Sequence, residues 1–196
     1  MYFFYKRGMN KLLRFARGMW YRTMYKPNIQ IESHAPFEIS KNSDFLFETR
    51  KSFLIVKGKM LALNSLFIKV CGTGCIEIGE RVFFNNCCSI TCMNKIKIGN
   101  DCLFGENVHI YDHNHNYRQI GKTISQQGFS IGEITIGNNV WIGTNVTILK
   151  NVHIGNNCII GAGCVVYKDV PEGNILFCNG EMKKIEVTEN ESITNN

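Results

Sequence analysis

The chain has 196 residues, 44% of them hydrophobic, and a formal net charge of +6. That length suits one domain with appendages, and no apolar run approaches the roughly 20 residues that span a bilayer. Nine cysteines, an odd number without disulfide-framework spacing, read as reduced thiols, several of them small core residues, in a cytoplasmic protein. No cleavable signal peptide is evident, and a zinc site from Cys87, Cys88 and Cys92 lacks a second paired motif.

Residues 1–28 hold seven Lys or Arg and no acid, so the positive charge belongs to this segment. Tyr5, Met9, Leu12, Ala16, Met19 and Trp20 follow helical spacing, with Arg7, Lys11, Arg14 and Arg22 on the other side. Two readings follow. One is a helix packed on the rest of the fold or on a neighbouring subunit, its basic face in solvent. The other is a helix lying on an anionic membrane, with Trp20, Phe15 and the tyrosines at headgroup level. The body of the chain is not basic and carries no recognition motif, which argues against nucleic acid. Pro27 ends the segment.

From Ile29 to about Lys69 the text is β-like but irregular (IQIES, FEIS, FLFE, SFLIV), as in the imperfect first coils of a repeat. A six-residue register then settles at Ile78, Phe84 and Ile90, slips by two residues at Lys95–Lys97, where a corner is lengthened, and resumes at Ile98, Phe104 and Ile110. It is lost over residues 112–130, which must bulge as an extended loop. It returns at Ile136, Ile142, Ile148, Ile154, Ile160 and Val166. A Gly follows the mark at Gly137, Gly143, Gly155 and Gly161, and Asn139, Asn151 and Asn157 recur in the turns. A helix repeats near 3.6 residues and a half-buried strand near 2, so a strict six implies a β-solenoid of short strands and turns, three hexads to a coil. The marked aliphatics point inward, and the Gly and Asn residues are expected at positive φ in the corners. The solenoid is placed at 29–171, with a tail at 172–196 whose polar end, ENESITNN, is expected to be disordered.

The candidate chemistry gathers at the loop. His113 and His115 open it in D-H-N-H, His109 lies just before, and His34 and His153 are isolated. An imidazole suits proton removal from a hydroxyl near neutral pH, and Asp112 could orient a ring or cap the turn. Loops on rigid scaffolds commonly carry function, so residues 116–130 are expected to help select an acceptor.

The hexads, the run ITIGNNVWIGTNVTI and the closing IIGAGCVVYKDVP resemble the hexapeptide-repeat acyltransferases, and more narrowly their maltose and galactoside O-acetyltransferase branch. The D-H-N-H variant is similar to bacterial O-antigen and capsule O-acetyltransferases. The resemblance covers roughly Ile76 to Pro171. It implies an all-β fold, a left-handed parallel β-helix solenoid, here with an N-terminal amphipathic helix and one extended loop. It also implies a homotrimer with active sites in clefts between subunits, and acetyl-CoA as co-substrate.

The family's catalytic histidine falls on His115 by an ungapped pairing through NVHIY and on His113 by a shorter-loop pairing; His115 ranks first. A family asparagine that contacts the acceptor sugar matches Asn85 in FFNNCCSI, with Asn86 beside it, and Asp112 is grouped with them on the acceptor side. Trp141 matches a Trp lining the acetyl-donor site. Gly143 precedes Thr144, whose amide matches the donor to the thioester oxygen. Ala162, Tyr167 and Lys168 match positions along the CoA arm. The closing FCNGEMKKI departs from the family's proline-containing signature, although Lys183 and Lys184 could serve a phosphate.

The implied function is O-acetylation of a sugar hydroxyl in bacterial surface polysaccharide biosynthesis, by a histidine general base in a ternary complex. Work near a membrane-bound glycan would suit the basic N-terminal segment, giving a cytoplasmic protein with a peripheral membrane contact. An N-acetyltransferase acting on an amino sugar is the nearest alternative. A trimeric metal-binding hydratase resembling the γ-class carbonic anhydrases is another, and would need His109, His113 and His115 to converge. A non-catalytic scaffold is the last.

Overall fold

The computed structural model describes residues 2–32 and 36–186, with side chains from residue 10 onward. His34 and the ENESITNN end lie outside the described residues.

The chain winds as a three-faced β-solenoid of about six coils. The first face stacks the strands Ile29–Ile31, Phe53–Val56, Cys75–Ile78, Lys95–Ile98, Glu133–Ile136 and Val152–Ile154. The second runs through Phe37–Ile39, Met60–Ala62, Val82–Phe84, Leu103–Phe104, Trp141–Ile142 and Ile159–Ile160, and continues into Asn174–Leu176. The third holds Asp44–Phe47, Phe67–Val70, Ser89–Cys92, His109–Tyr111, Thr147–Ile148 and Val165–Val166. Within these coils every pairing is parallel, and the inward marks stack in register. Ile78, Ile98, Ile136 and Ile154 form one column, and Phe84, Phe104, Ile142 and Ile160 a second. Ile90, Ile110, Ile148 and Val166 form the third. All twelve are buried, and Phe84 and Phe104 stack face to face at 4.6 Å. Each such side chain contributes about 1.5–3 kcal/mol relative to exposure. The irregular text between Ile29 and Lys69 does form the first two coils.

The corners carry two different devices. Asn139, Asn145, Asn151 and Asn157 take φ between 53° and 62°, the left-handed region that asparagine tolerates. The Gly residues after the marks do not take positive φ, contrary to expectation. They are there for lack of room: a Cβ on Gly143 would fall 2.7 Å from Ala162 N, and one on Gly155 2.5 Å from Glu172 N. Asparagine side chains also stitch coil to coil, Asn138 Oδ1 accepting from Asn100 N–H and Asn156 Oδ1 from Asn138 N–H, both at 2.8 Å.

From the second coil on, the two inner edges of each coil hold the six-residue spacing. Departures collect at the closing edge, where the third face turns into the first face of the next coil. The two-residue slip belongs there, at Met93 and Asn94; Lys95–Lys97 are strand, not corner. The long loop leaves from the same edge one coil later. The solenoid also does not stop at Pro171. Asn174–Leu176 adds to the second face, and Met182–Lys184 folds back on it antiparallel, closing that end.

The other end is covered by the helix Tyr2–Met24. Arg14 Nε reaches Glu38 Oε2 at 3.3 Å, and Glu38 is buried. Gly18 passes so close to the second face that a Cβ there would fall 1.7 Å from Phe37 O. The Tyr21 ring lies 4.7 Å from that of Phe45, its hydroxyl donating to Ser43 O, and Tyr25 packs on Phe47. The expected solvated basic face is thus partly turned inward, while Leu12, Met19 and Trp20 stay exposed.

Candidate active site

The expected extended loop over 112–130 does leave the coil, and its stem is a hairpin. His113–His115 pairs antiparallel with Phe129–Ile131, His115 opposite Phe129. Gly132 N–H closes the root on Asp112 O at 2.7 Å. At the far end the buried Gln127 accepts from Gln119 N–H through Oε1 and donates through Nε2 to Lys122 O. These bonds give the polar insertion a shape without a core of its own.

Asp112 anchors the root. Its side chain has no exposed surface. The carboxylate accepts from Met93 N–H and Asn94 N–H at 2.8 Å each and from the Cys92 thiol at 3.3 Å. Burial first, and the carboxylate beside it, push the Cys92 thiol well up, so it stays protonated and donates. The carboxylate also meets His113 Nδ1 at 3.0 Å. A group so enclosed cannot reach an acceptor, so Asp112 leaves the acceptor-binding set, and of its expected roles the orienting of a ring fits, the ring being that of His113. With Nδ1–H directed at a carboxylate, His113 keeps Nε2 as its proton acceptor. The partly buried ring meets Phe129 edge-on at 5.4 Å.

His115, on the same side of the hairpin, is exposed, and its ring lies 4.4 Å from Phe129. It borders a cleft of about 580 Å³ shared with Arg118, Gln127, Ser130 and Lys150. Lys150 comes from the closing edge of the next coil and donates to Ser130 Oγ. The lining includes two cations and an imidazole, and no carboxylate. Arg118 and Phe129 fall within the 116–130 stretch expected to select an acceptor, although neither was singled out, and sequence reading missed Lys150. The signal for Lys150 was its place at the same edge as the loop root, one coil on.

His109 is engaged elsewhere, on the third face, through Ser89 Oγ at 2.6 Å and Asn107 Oδ1 at 3.0 Å. Among the described residues no three His, Cys, Asp or Glu side chains are grouped to hold a metal ion. His153 is exposed on the first face.

Asn85, Asn86, Gly143, Thr144 and Ala162 lie together along the edge between the second and third faces. Asn85 Oδ1 accepts from Asn86 N–H at 2.8 Å. Asn86 is tied into the edge, its Nδ2 donating to Glu106 Oε1 at 3.0 Å. Thr144 O accepts from Gly163 N–H at 2.9 Å, while its own N–H makes no backbone hydrogen bond among the described residues. Trp141 is exposed on the outside of the second face, between Leu103 and Ile159 on the adjacent strands. Tyr167 and Lys168 border a separate cleft of about 260 Å³ with Val165, Phe177 and Cys178. Lys183 pairs with Glu181 at 3.3 Å.

One chain therefore joins Asp112 to His113, and Gly143 to Thr144 and Ala162. It does not join these groups to each other. The histidine hairpin leaves from the closing edge, which in a three-faced prism is the edge opposite the second face and Trp141.

Residues 133–168 match the family model described as bacterial transferase hexapeptide (six repeats). Over 112 residues the chain is 31% identical to Escherichia coli (strain K12) WbbJ, named as a lipopolysaccharide biosynthesis O-acetyl transferase. That match covers 54% of this chain and 57% of WbbJ, so the chain spans a little over half the length of this curated relative. Among solved structures it is similar to a hexapeptide-repeat acetyltransferase of Vibrio cholerae O1 biovar eltor complexed with acetyl coenzyme A. There the TM-score is 0.52 at 25% identity, over 69% of this chain and 66% of that one. It shares the fold of the polySia specific acetyltransferase NeuO, with a TM-score of 0.64 at 21% identity, over 85% of this chain and 71% of that one.

Proposed function

We propose that this protein, whose residues 133–168 match the bacterial transferase hexapeptide family model, is an acetyl-CoA-dependent O-acetyltransferase acting on a sugar hydroxyl. A surface polysaccharide or its precursor, met in the cytoplasm, is the acceptor class that the likeness to WbbJ supports. The observation that carries the reading is the His113 ring fixed at Nδ1 by the buried Asp112 carboxylate at 3.0 Å.

A thioester is already activated, so the protein has to hold it beside the hydroxyl and move one proton. His113 Nε2 takes the hydroxyl proton as the sugar oxygen bonds to the acetyl carbon. The tetrahedral oxyanion is held by the Thr144 N–H, next to Trp141. As that intermediate collapses the C–S bond breaks, and the imidazolium returns its proton to the leaving thiolate. His113 ranks above His115 here because only its ring has a carboxylate partner. His115, Arg118 and Lys150 meet the acceptor, and a lining with cations and no carboxylate suits one that bears negative charge. The protein works as a homotrimer in which a neighbour's Trp141 and Thr144 face the histidine hairpin.

The test is thiol release from acetyl-CoA with panels of neutral sugars, acidic sugars and amino sugars. His113→Ala is expected to lower kcat by about 10² or more, while His115→Ala mainly raises the acceptor KM. Loss of kcat in His115→Ala with His113→Ala active would transfer the base role to His115. Turnover with amines alone would replace O-acetylation by N-acetylation.

A further inference from the structure

The N-terminal helix is mounted with its apolar side out. At about 100° per residue Leu12, Ala16, Met19 and Thr23 share one line along it, with Leu13 and Trp20 on one flank and Phe15 on the other. All are exposed, Leu12 by 68% and Trp20 by 54%. The opposite line, Arg14, Gly18, Tyr21 and Tyr25, is the one that meets the solenoid. This reverses the usual packing of an amphipathic helix. The orientation is set by the Arg14–Glu38 pair and by the close pass of Gly18 over Phe37 O, neither of which would survive rotating the helix. A continuous exposed apolar face of this kind marks an interaction site.

We infer that this face docks on an anionic lipid surface, the helix lying in the plane of the headgroups. Charge selects the occupant. Residues 1–28 carry seven cations and no acid, and Lys11, Arg22 and Lys26 lie along one border of the apolar face. Seating a second copy face to face on this helix would bring like charges together, whereas an anionic bilayer takes the apolar residues and the cations at once. Trp20 sits where an interfacial ring is favoured. No described helix is long and apolar enough to cross a membrane, so the contact is peripheral.

The test is flotation of the full-length protein with phosphatidylcholine vesicles, with or without about one-third phosphatidylglycerol. Binding to the anionic vesicles and not to the neutral ones is expected. It should fall about tenfold or more in Leu12→Glu/Met19→Glu and, separately, in Lys11→Glu/Lys26→Glu. Both pairs are exposed, so helix content and oligomeric state should hold. The proposal is overturned by absence of flotation, by equal flotation with neutral vesicles, or by Leu12→Glu/Met19→Glu dissolving the oligomer, which would assign the face to a second copy.

Discussion

A carboxylate without exposed surface is costly unless its oxygens are occupied, and Asp112 fills its own with two backbone N–H groups, a thiol and an imidazole. The first three partners belong to the corner Cys92–Asn94 of the preceding coil, so the carboxylate joins the hairpin root to the solenoid and aims His113 with the same atoms. Asp112→Asn keeps the size but replaces one acceptor oxygen with N–H₂, which cannot accept from Met93 or Asn94. We expect kcat to fall by about 10–100-fold with acceptor and acetyl-CoA KM little changed, and the fold to lose about 1–3 kcal/mol. Steady-state kinetics beside a urea melt checks both. Unchanged kcat in a destabilised Asp112→Asn protein would leave Asp112 a purely structural part.

At the scale of the element, Gly18 decides how the helix sits. Alanine is the better helix former by about 1 kcal/mol, yet its Cβ would have to occupy a point 1.7 Å from Phe37 O. The helix must lift, parting Arg14 from Glu38 and Tyr21 from Phe45. Gly18→Ala is therefore expected to destabilise by about 1–3 kcal/mol, read from the urea midpoint, and a midpoint at or above wild type would mean that the helix does not rest on Phe37. The sequence exposed this element only in part. Helical spacing correctly grouped Leu12, Ala16, Met19 and Trp20, but which face turns inward is decided by Glu38 and a backbone carbonyl that no periodicity reports. The twelve inward marks were legible because each coil repeats a local rule, an aliphatic or Phe every sixth residue with Asn or Gly at the corner. The hairpin stem was not, since H-N-H and F-S-I are too short and polar to advertise a pairing across the insertion. Asp112 was legible as a residue that could orient a ring, but not its enclosure, which rules out the acceptor-side placement: its partners are mostly backbone N–H groups, which leave no trace in the text.

For the molecule as a whole, the separation of its candidate groups is the fact that assembly has to answer. His113 stands at the closing edge, Trp141 on the face opposite, and Thr144 on the edge between that face and the third. If the proposed site forms between chains, each interface of a closed trimer takes its histidine from one subunit and its Trp141 and Thr144 from the next. His113→Ala and Trp141→Ala proteins, each poorly active alone, then complement on subunit exchange. In a random one-to-one mixture about one quarter of the interfaces join an intact histidine to an intact tryptophan, so about a quarter of wild-type activity returns. The double variant His113→Ala/Trp141→Ala, mixed one-to-one with wild type, gives the converse reading. A site held within one chain leaves about half of the activity, because every wild-type chain keeps its own. A shared site leaves about a quarter, because both neighbours at an interface must be wild type. Half in the second mixture, with no recovery in the first, would refute the shared site and require the hairpin to reach Trp141 within a single chain.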